Sequence, residues 1–196
     1  AQYLELRHDA KTDHAALGKQ RDEKVRMVLD LPTGDSEDLW KQIPSKVRNQ
    51  IRKGDKHDLS VRWGGEASGG VLDDFYDVFA VNMRDLGTPV YGKRLFSEIV
   101  TQLQGDAELC VVDYQGNVIA GALLIHDANE SITAVPSASC LRQYNSTNAN
   151  MWMYHQLLLR AVERGSAQFD FGRSSVDSGT FKFKKQWGAQ PQPTVW

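Results

Sequence analysis

Two stretches of this 196-residue chain concentrate side chains able to act on a polar or charged substrate. The first is Thr180-Phe181-Lys182-Phe183-Lys184-Lys185-Gln186-Trp187-Gly188, where aromatic and basic residues alternate. Read as a strand, the alternation sends Phe181 and Phe183 to one face and Lys182 and Lys184 to the other. Lysines beside a pocket polarise a carbonyl or steady an oxyanion without themselves reacting. The same pattern equally describes an edge strand guarded by lysine against aggregation. The second stretch runs from Lys41 to Lys56. It carries Lys41, Lys46, Arg48, Arg52, Lys53 and Lys56, opposed only by Asp55. Arginine forks and lysine point charges on one helix face suit phosphate groups, while a plain solvated face is the alternative. Asp170 precedes Gly172 and Arg173, where it serves as a base or pairs with Arg173 and the turn. Tyr144-Asn145 lies where a loop feeds a helix N-terminus, a natural place for an anion.

Several other chemistries lack their parts. The sequence contains no phosphate loop, dinucleotide fingerprint, H-E-x-x-H or G-x-S-x-G. His8, His14, His57, His126 and His155 share no metal-ligand spacing, so no metal site is expected. Cys110 and Cys140 are expected to be small buried apolar residues in a reducing, cytoplasmic setting. A net charge of −2 removes the strongest cue for nucleic acid. No run approaches the ~18 apolar residues of a membrane span. At 41% hydrophobic and 24% charged, the chain has a globular composition, large enough for one domain with a sizeable core.

The elements that must position these residues are legible from periodicity. Val25, Met27, Leu29 and Leu31 alternate with polar neighbours as in a half-buried strand. Ser36 can cap a short helix with Glu37 and Asp38 in its first turn, and Pro44 interrupts or restarts it. Leu59–Arg62 reads as a strand and Gly64–Gly70 as a flexible loop. Leu72–Leu86 and Arg94–Gln104 read as helices ended by Gly87 and Gly105. Glu108–Tyr114 and Val118–Ile125 flank Gln115-Gly116-Asn117 as a hairpin. Ser131–Val135 is a short strand, Asn150 caps a long helix Met151–Arg164, and Gln168–Phe171 is a strand ending in a turn at Gly172–Ser175. The order implies an α+β fold with a mixed, mostly antiparallel sheet flanked by helices.

Taken together, these motifs resemble a known family. Leu141-Arg142-Gln143-Tyr144-Asn145, Phe169-Asp170-Phe171-Gly172-Arg173-Ser174 and the terminal Phe-Lys-Phe-Lys-Lys-Gln-Trp-Gly are similar to the FemAB-like proteins. Within these, the branch associated with PEP-CTERM/exosortase and exopolysaccharide systems is the nearest match. Upstream support comes from the segments 43–53 and 82–91. The resemblance implies a fold of the GNAT acyltransferase type, often in tandem. Residues 1–35 would then be trailing strands of a preceding unit, and 36–196 the acyltransferase domain. A chain opening at Ala1 without methionine fits a piece of a longer protein.

The resemblance also implies transfer of an acyl or aminoacyl group to an amine of a cell-envelope or exopolysaccharide precursor. Phe183-Lys184 matches the family's functional pair: Lys184 would stabilise the developing oxyanion and Phe183 would position the donor's reactive end, with Asp170 beside them. Arg48, Arg52 and Lys53 would contact phosphates of a nucleotide-sugar or lipid-linked saccharide. Arg84, Tyr91, Tyr144, Asn145, Arg173 and Lys182 complete the expected substrate-binding set. No permanent cofactor is implied; aminoacyl-tRNA or acyl-CoA is the co-substrate, which makes tRNA a further partner. Arg142–Ala149 departs from the glycine-rich pyrophosphate loop of acetyl-CoA enzymes, since it has no glycine. No sustained heptads mark a tRNA-binding coiled coil. The alternatives are an acetyl-CoA-dependent N-acetyltransferase acting on an amino sugar, and a non-catalytic GNAT-like binding module.

Overall fold

A computed structural model describes residues 23–65 and 70–194. Seven strands form one sheet in the order β2-β3-β4-β5-β6-β1-β7. They are β1 (Lys24–Asp30), β2 (Leu59–Gly64), β3 (Ala107–Tyr114), β4 (Asn117–Asp127), β5 (Ile132–Cys140), β6 (Gln168–Ser175) and β7 (Gln190–Pro193). Every neighbouring pair is antiparallel except β5 and β6, which run parallel. The helices are α1 (Ser36–Gln42), α2 (Ser45–Gly54), α3 (Val71–Asp85), α4 (Lys93–Gln102), α5 (Ala149–Glu163) and α6 (Gly179–Gln186), with a 3-10 turn at Arg142–Thr147. The expected mixed, mostly antiparallel α+β architecture is present.

One face of the sheet packs on α1, α2, α5 and α6. Its core includes Leu39, Val47, Ile51, Met153, Leu157, Phe169, Phe171 and Trp187, all buried. The other face packs on α3 and α4 through Phe75, Phe79, Phe96 and Val100 against Leu109, Val111 and Leu123. Burial of each such side chain contributes ~1.5–3 kcal/mol of transfer free energy, so the two clusters dominate the stability. Phe75 and Phe79 each meet Phe96 edge to face, with ring centres 5.0 and 4.8 Å apart. The hairpin between β3 and β4 turns through Gln115 and Gly116, both at positive φ, as a two-residue turn requires.

Several local expectations change. Asp35, one residue before Ser36, caps α1: its Oδ1 accepts the Glu37 and Asp38 amides at 2.9 and 3.3 Å. Asn148, in the left-handed region at φ 56°, stands at the start of α5 in place of Asn150. The supposed turn at 172–175 continues β6, and β5 runs five residues beyond Val135, to Cys140. Residues 180–186 are helical, not extended. Ser178 caps α6 by accepting the Phe181 amide at 3.2 Å. Phe181, Lys184 and Trp187 then recur every three residues on its buried face. Phe-Lys alternation fits both periods over four residues, so the cap and the Phe181–Trp187 spacing decide.

Residues 24–30, expected as the tail of a preceding unit, form an inner strand of this same sheet, paired with β6 on one side and β7 on the other. Residues 1–22 of the expected 1–35 segment lie outside the described residues. Cys110 is fully buried and Cys140 half-buried; both are free thiols, and burial pushes Cys140 up to about 11.

Candidate active site

Two irregularities in the sheet open a cleft. β5 and β6 pair only through Ile132–Ala134 against Gln168–Asp170, and beyond that both strands continue apart. Pro136, just past the last pair, has no amide with which to extend the ladder. The second irregularity is a bulge. Arg26 faces Arg173 and Val28 faces Asp170, so β6 holds one extra residue between 170 and 173. Gly172 takes it up at φ 78°, a conformation that a side chain would strain. The resulting cavity, about 660 Å³, is lined by β5 at Ala134–Pro136, by β6 from Asp170 to Ser175, by Lys24 and Arg26 of β1, and by Thr180 and Lys184 of α6. Phe169 and Phe171 point into the α5 face, so Asp170 between them points to the other.

Lys184 is a buried lysine in the lining of this cleft. It is 8% exposed, and its ammonium donates to the carbonyls of Gly172 (3.0 Å) and Arg173 (2.9 Å). Those two contacts use two of its three N–H donors. Burial lowers the Lys184 ammonium to about 8; the Asp170 carboxylate opposes that shift and Arg173 adds to it. Asp170 has both oxygens engaged. Oδ1 accepts the Gly172 amide at 2.7 Å, and Oδ2 lies 3.2 Å from Nε of Arg26. It pairs with Arg26 rather than with the Arg173 that the sequence suggested.

The other expected residues are distributed over the molecule. Arg173 lines the cleft. Phe183 does not: it packs half-buried on Tyr154, ring centres 5.0 Å apart, and so holds α6 against α5. Lys182 is exposed on α6. Arg48 and Arg52 stack over Trp40 at 6.0 and 5.3 Å, with Arg48 also donating to the Trp40 carbonyl, while Lys53 is exposed on the same helix. Arg84 pairs with Asp85. Tyr91 stands 63% exposed between α3 and α4. Tyr144 meets the edge of Tyr114, and Asn145 is exposed in the 3-10 turn. Apart from Arg173, none of these lines the cleft. Lys24, Arg26 and Thr180 do line it, although sequence reasoning passed them over. The available signal was Lys24 and Arg26 two apart, on one face of β1. Among the described residues no cluster of three or more His, Cys, Asp or Glu side chains is placed to hold a metal ion. No described helix is long and apolar enough to cross a membrane.

Residues 43–185 match the family described as acetyltransferase (GNAT) domain. The chain belongs to the GNAT acetyltransferase family. It is therefore an acyltransferase domain, and the splayed parallel pair with Lys184 at its mouth lies within the matched region. No curated protein matches the sequence. Among solved structures, FemX superposes with a TM-score of 0.76 at 16% identity, covering 96% of this chain and 64% of its own. The C-terminal DUF2156 domain from Agrobacterium fabrum, named after a lysylphosphatidylglycerol synthetase, gives 0.67 at 11% identity, with 90% and 60% covered. L-PGS from Bacillus licheniformis gives 0.65 at 12% identity, again with 90% and 60% covered. The chain thus spans about 60–64% of the length of these three relatives.

Proposed function

We propose that this GNAT domain carries out FemAB-like N-acyl transfer, with Lys184 as its electrostatic catalyst. The acyl or aminoacyl group passes from a thioester or ester donor, acyl-CoA or aminoacyl-tRNA, to an amine of a cytoplasmic cell-envelope or exopolysaccharide precursor. That setting includes the exosortase-linked systems the sequence resembles. The acceptor amine attacks the acyl carbonyl, a C–N bond forms, and negative charge gathers on the carbonyl oxygen. Collapse breaks the C–S or C–O bond to the donor, and the proton lost by the amine leaves with the departing thiol or hydroxyl. Lys184 serves the charged intermediate: two N–H donors are fixed on backbone carbonyls, and the third is available to the oxyanion. A donor preorganised in this way is typically worth about 3–4 kcal/mol in the transition state. Arg173, Lys182 and the basic face of α2 (Arg48, Arg52, Lys53), with Arg84, Tyr91, Tyr144 and Asn145, would take the phosphate-bearing parts of a nucleotide-sugar or lipid-linked saccharide. For the residues outside the cleft this requires an extended acceptor.

The observation that carries the reading is the anchored, buried ammonium at the mouth of the parallel splay. Lys184→Met keeps the length and removes the charge. It should lower kcat about 100- to 1,000-fold with a cooperative melt retained, whereas the activity of the parent should fall as pH rises through about 8, where its Lys184 ammonium is lost. Undiminished turnover in that variant overturns the assignment. The match to an acetyltransferase domain supports acetyl-CoA as the donor in a second reading, in which the acceptor is an amino sugar. The two separate by thermal shift, since a donor at a hundred times its Kd adds ~2.7 kcal/mol of stability.

A further inference from the structure

The bulge at Gly172 exposes two consecutive carbonyls on an inner strand, and something must hold that irregular backbone in place. Gly172 sits at φ 78°, and a Cβ there would lie 3.5 Å from the Val135 carbonyl and 3.9 Å from Nζ of Lys184. The bulge therefore lies in direct contact with both β5 and the lysine. Asp170 receives the Gly172 amide across the bulge, closing a local ring that fixes the direction of the peptide. Arg26, on the neighbouring strand, pairs with the second oxygen of the same carboxylate. Both side chains are largely buried, at 21% and 14% exposure, so the pair is shielded from solvent competition.

We propose that Arg26 and Asp170 are positioning residues. Together they hold the Gly172 bulge so that the Gly172 and Arg173 carbonyls grip Lys184 and leave its third donor facing the cleft. In this arrangement Asp170 acts through the bulge, with Oδ1 accepting the Gly172 amide and Oδ2 paired with Arg26. The inference deepens the proposed acyl transfer and rests on it only for its kinetic consequence. It also gives β1 a direct part in the site. The charged groups that face Lys184 are Asp170 and Arg173 of β6 and Lys24 and Arg26 of β1, while the lining stretch of β5, 134–136, contributes none. Lys182 and Lys185 on its own helix are exposed, and Tyr154 of α5 is buried against Phe171, Phe183 and Trp187.

The test uses the whole chain with Asp170→Ala, Asp170→Asn, Arg26→Gln and Arg26→Lys. The titration of Lys184 is followed by competitive acetic anhydride labelling and mass spectrometry, which needs no turnover. Its midpoint, about 8 in the parent, should fall in both Asp170 variants because the opposing carboxylate is gone. Displacing a catalytic group by about 1 Å typically costs around 100-fold. Accordingly kcat should drop ~10- to 100-fold in Asp170→Ala and Arg26→Gln, with KM within about twofold. Arg26→Lys should recover most of the rate, and Asp170→Asn, which still accepts the Gly172 amide, should lose less than Asp170→Ala. If Asp170→Ala does not melt cooperatively, Asp170→Asn supplies the midpoint. An unmoved Lys184 midpoint, or full kcat in Arg26→Gln, overturns the positioning role. A shifted midpoint alongside full activity in Lys184→Met would instead sustain the positioning and sink the acyl-transfer role of the lysine.

Discussion

Glu108 offers the sharpest test of what holds the scaffold together. This β3 carboxylate is 6% exposed and accepts from Arg160 of α5 at 2.8 and 2.9 Å, in a bidentate pair. Nε2 of His126 lies 2.9 Å from it, and Arg164 reaches it at 3.4 Å. His126 continues to Thr133 at 2.8 Å, and Thr133 to Ser166 at 2.7 Å, so the network ties α5 to three strands. Burial pushes the Glu108 carboxyl up, but hydrogen bonds from His126 and Arg160 and the charges of Arg160 and Arg164 outweigh it and bring it from 4.5 down to about 2. At ~1.36 kcal/mol per pH unit, that difference is worth about 3 kcal/mol. Because the folded value lies below the unfolded one, the stabilisation is complete above about 4.5 and fades as pH falls toward 2. Glu108→Gln keeps the shape and removes the charge. Chemical denaturation should show it about 3 kcal/mol less stable near pH ~7, with the gap narrowing to about 1 kcal/mol near pH ~3. For a domain of this size the neutral-pH loss corresponds to roughly 6–12 °C in Tm. An equal gap at both pH values would mean that shape rather than charge does the work, and no gap would refute the reasoning altogether.

Two further outcomes follow from the elements that carry the site. Ser178→Ala removes the α6 cap and should cost about 1 kcal/mol; because α6 carries Lys184, kcat should fall with it, which steady-state kinetics on the folded variant checks. Gly54→Ala places a Cβ 2.9 Å from Cβ of Trp152, where α2 meets α5. Overpacking of that kind costs ~1–3 kcal/mol. The matching drop in melting temperature should be accompanied by altered tryptophan emission, since Trp152 also donates to Asp55 at 3.0 Å.

Periodicity was enough to locate most elements of this protein. Val25 to Leu31 alternate because one side of β1 is core, and the β3–β4 hairpin is announced by a glycine between two apolar runs. Such signals are local: they depend on spacing within one segment, which the chain states directly. Lys184, Asp170 and Arg173 also stood out from their types and from the motifs around them. What failed locally was the period of residues 180–186, where four alternating residues fit strand and helix alike. Ser178 and the burial of Trp187 against Tyr154 and Phe171 decide for helix, and the latter is a long-range fact. Pairing across the sheet was beyond any local reading. That β1 lies between β6 and β7, that β6 carries an extra residue at Gly172, and that β5 leaves β6 after Ala134 are relations between strands distant in sequence. Composition and spacing therefore determined which residues could do chemistry and which segments were helix or strand. Only the tertiary structure decided that Arg26 reaches Asp170, that the basic face of α2 stands outside the cleft, and that the lysine is buried. Each of those outcomes depends on which backbones pair and how far they part, and a sequence read one segment at a time does not encode that.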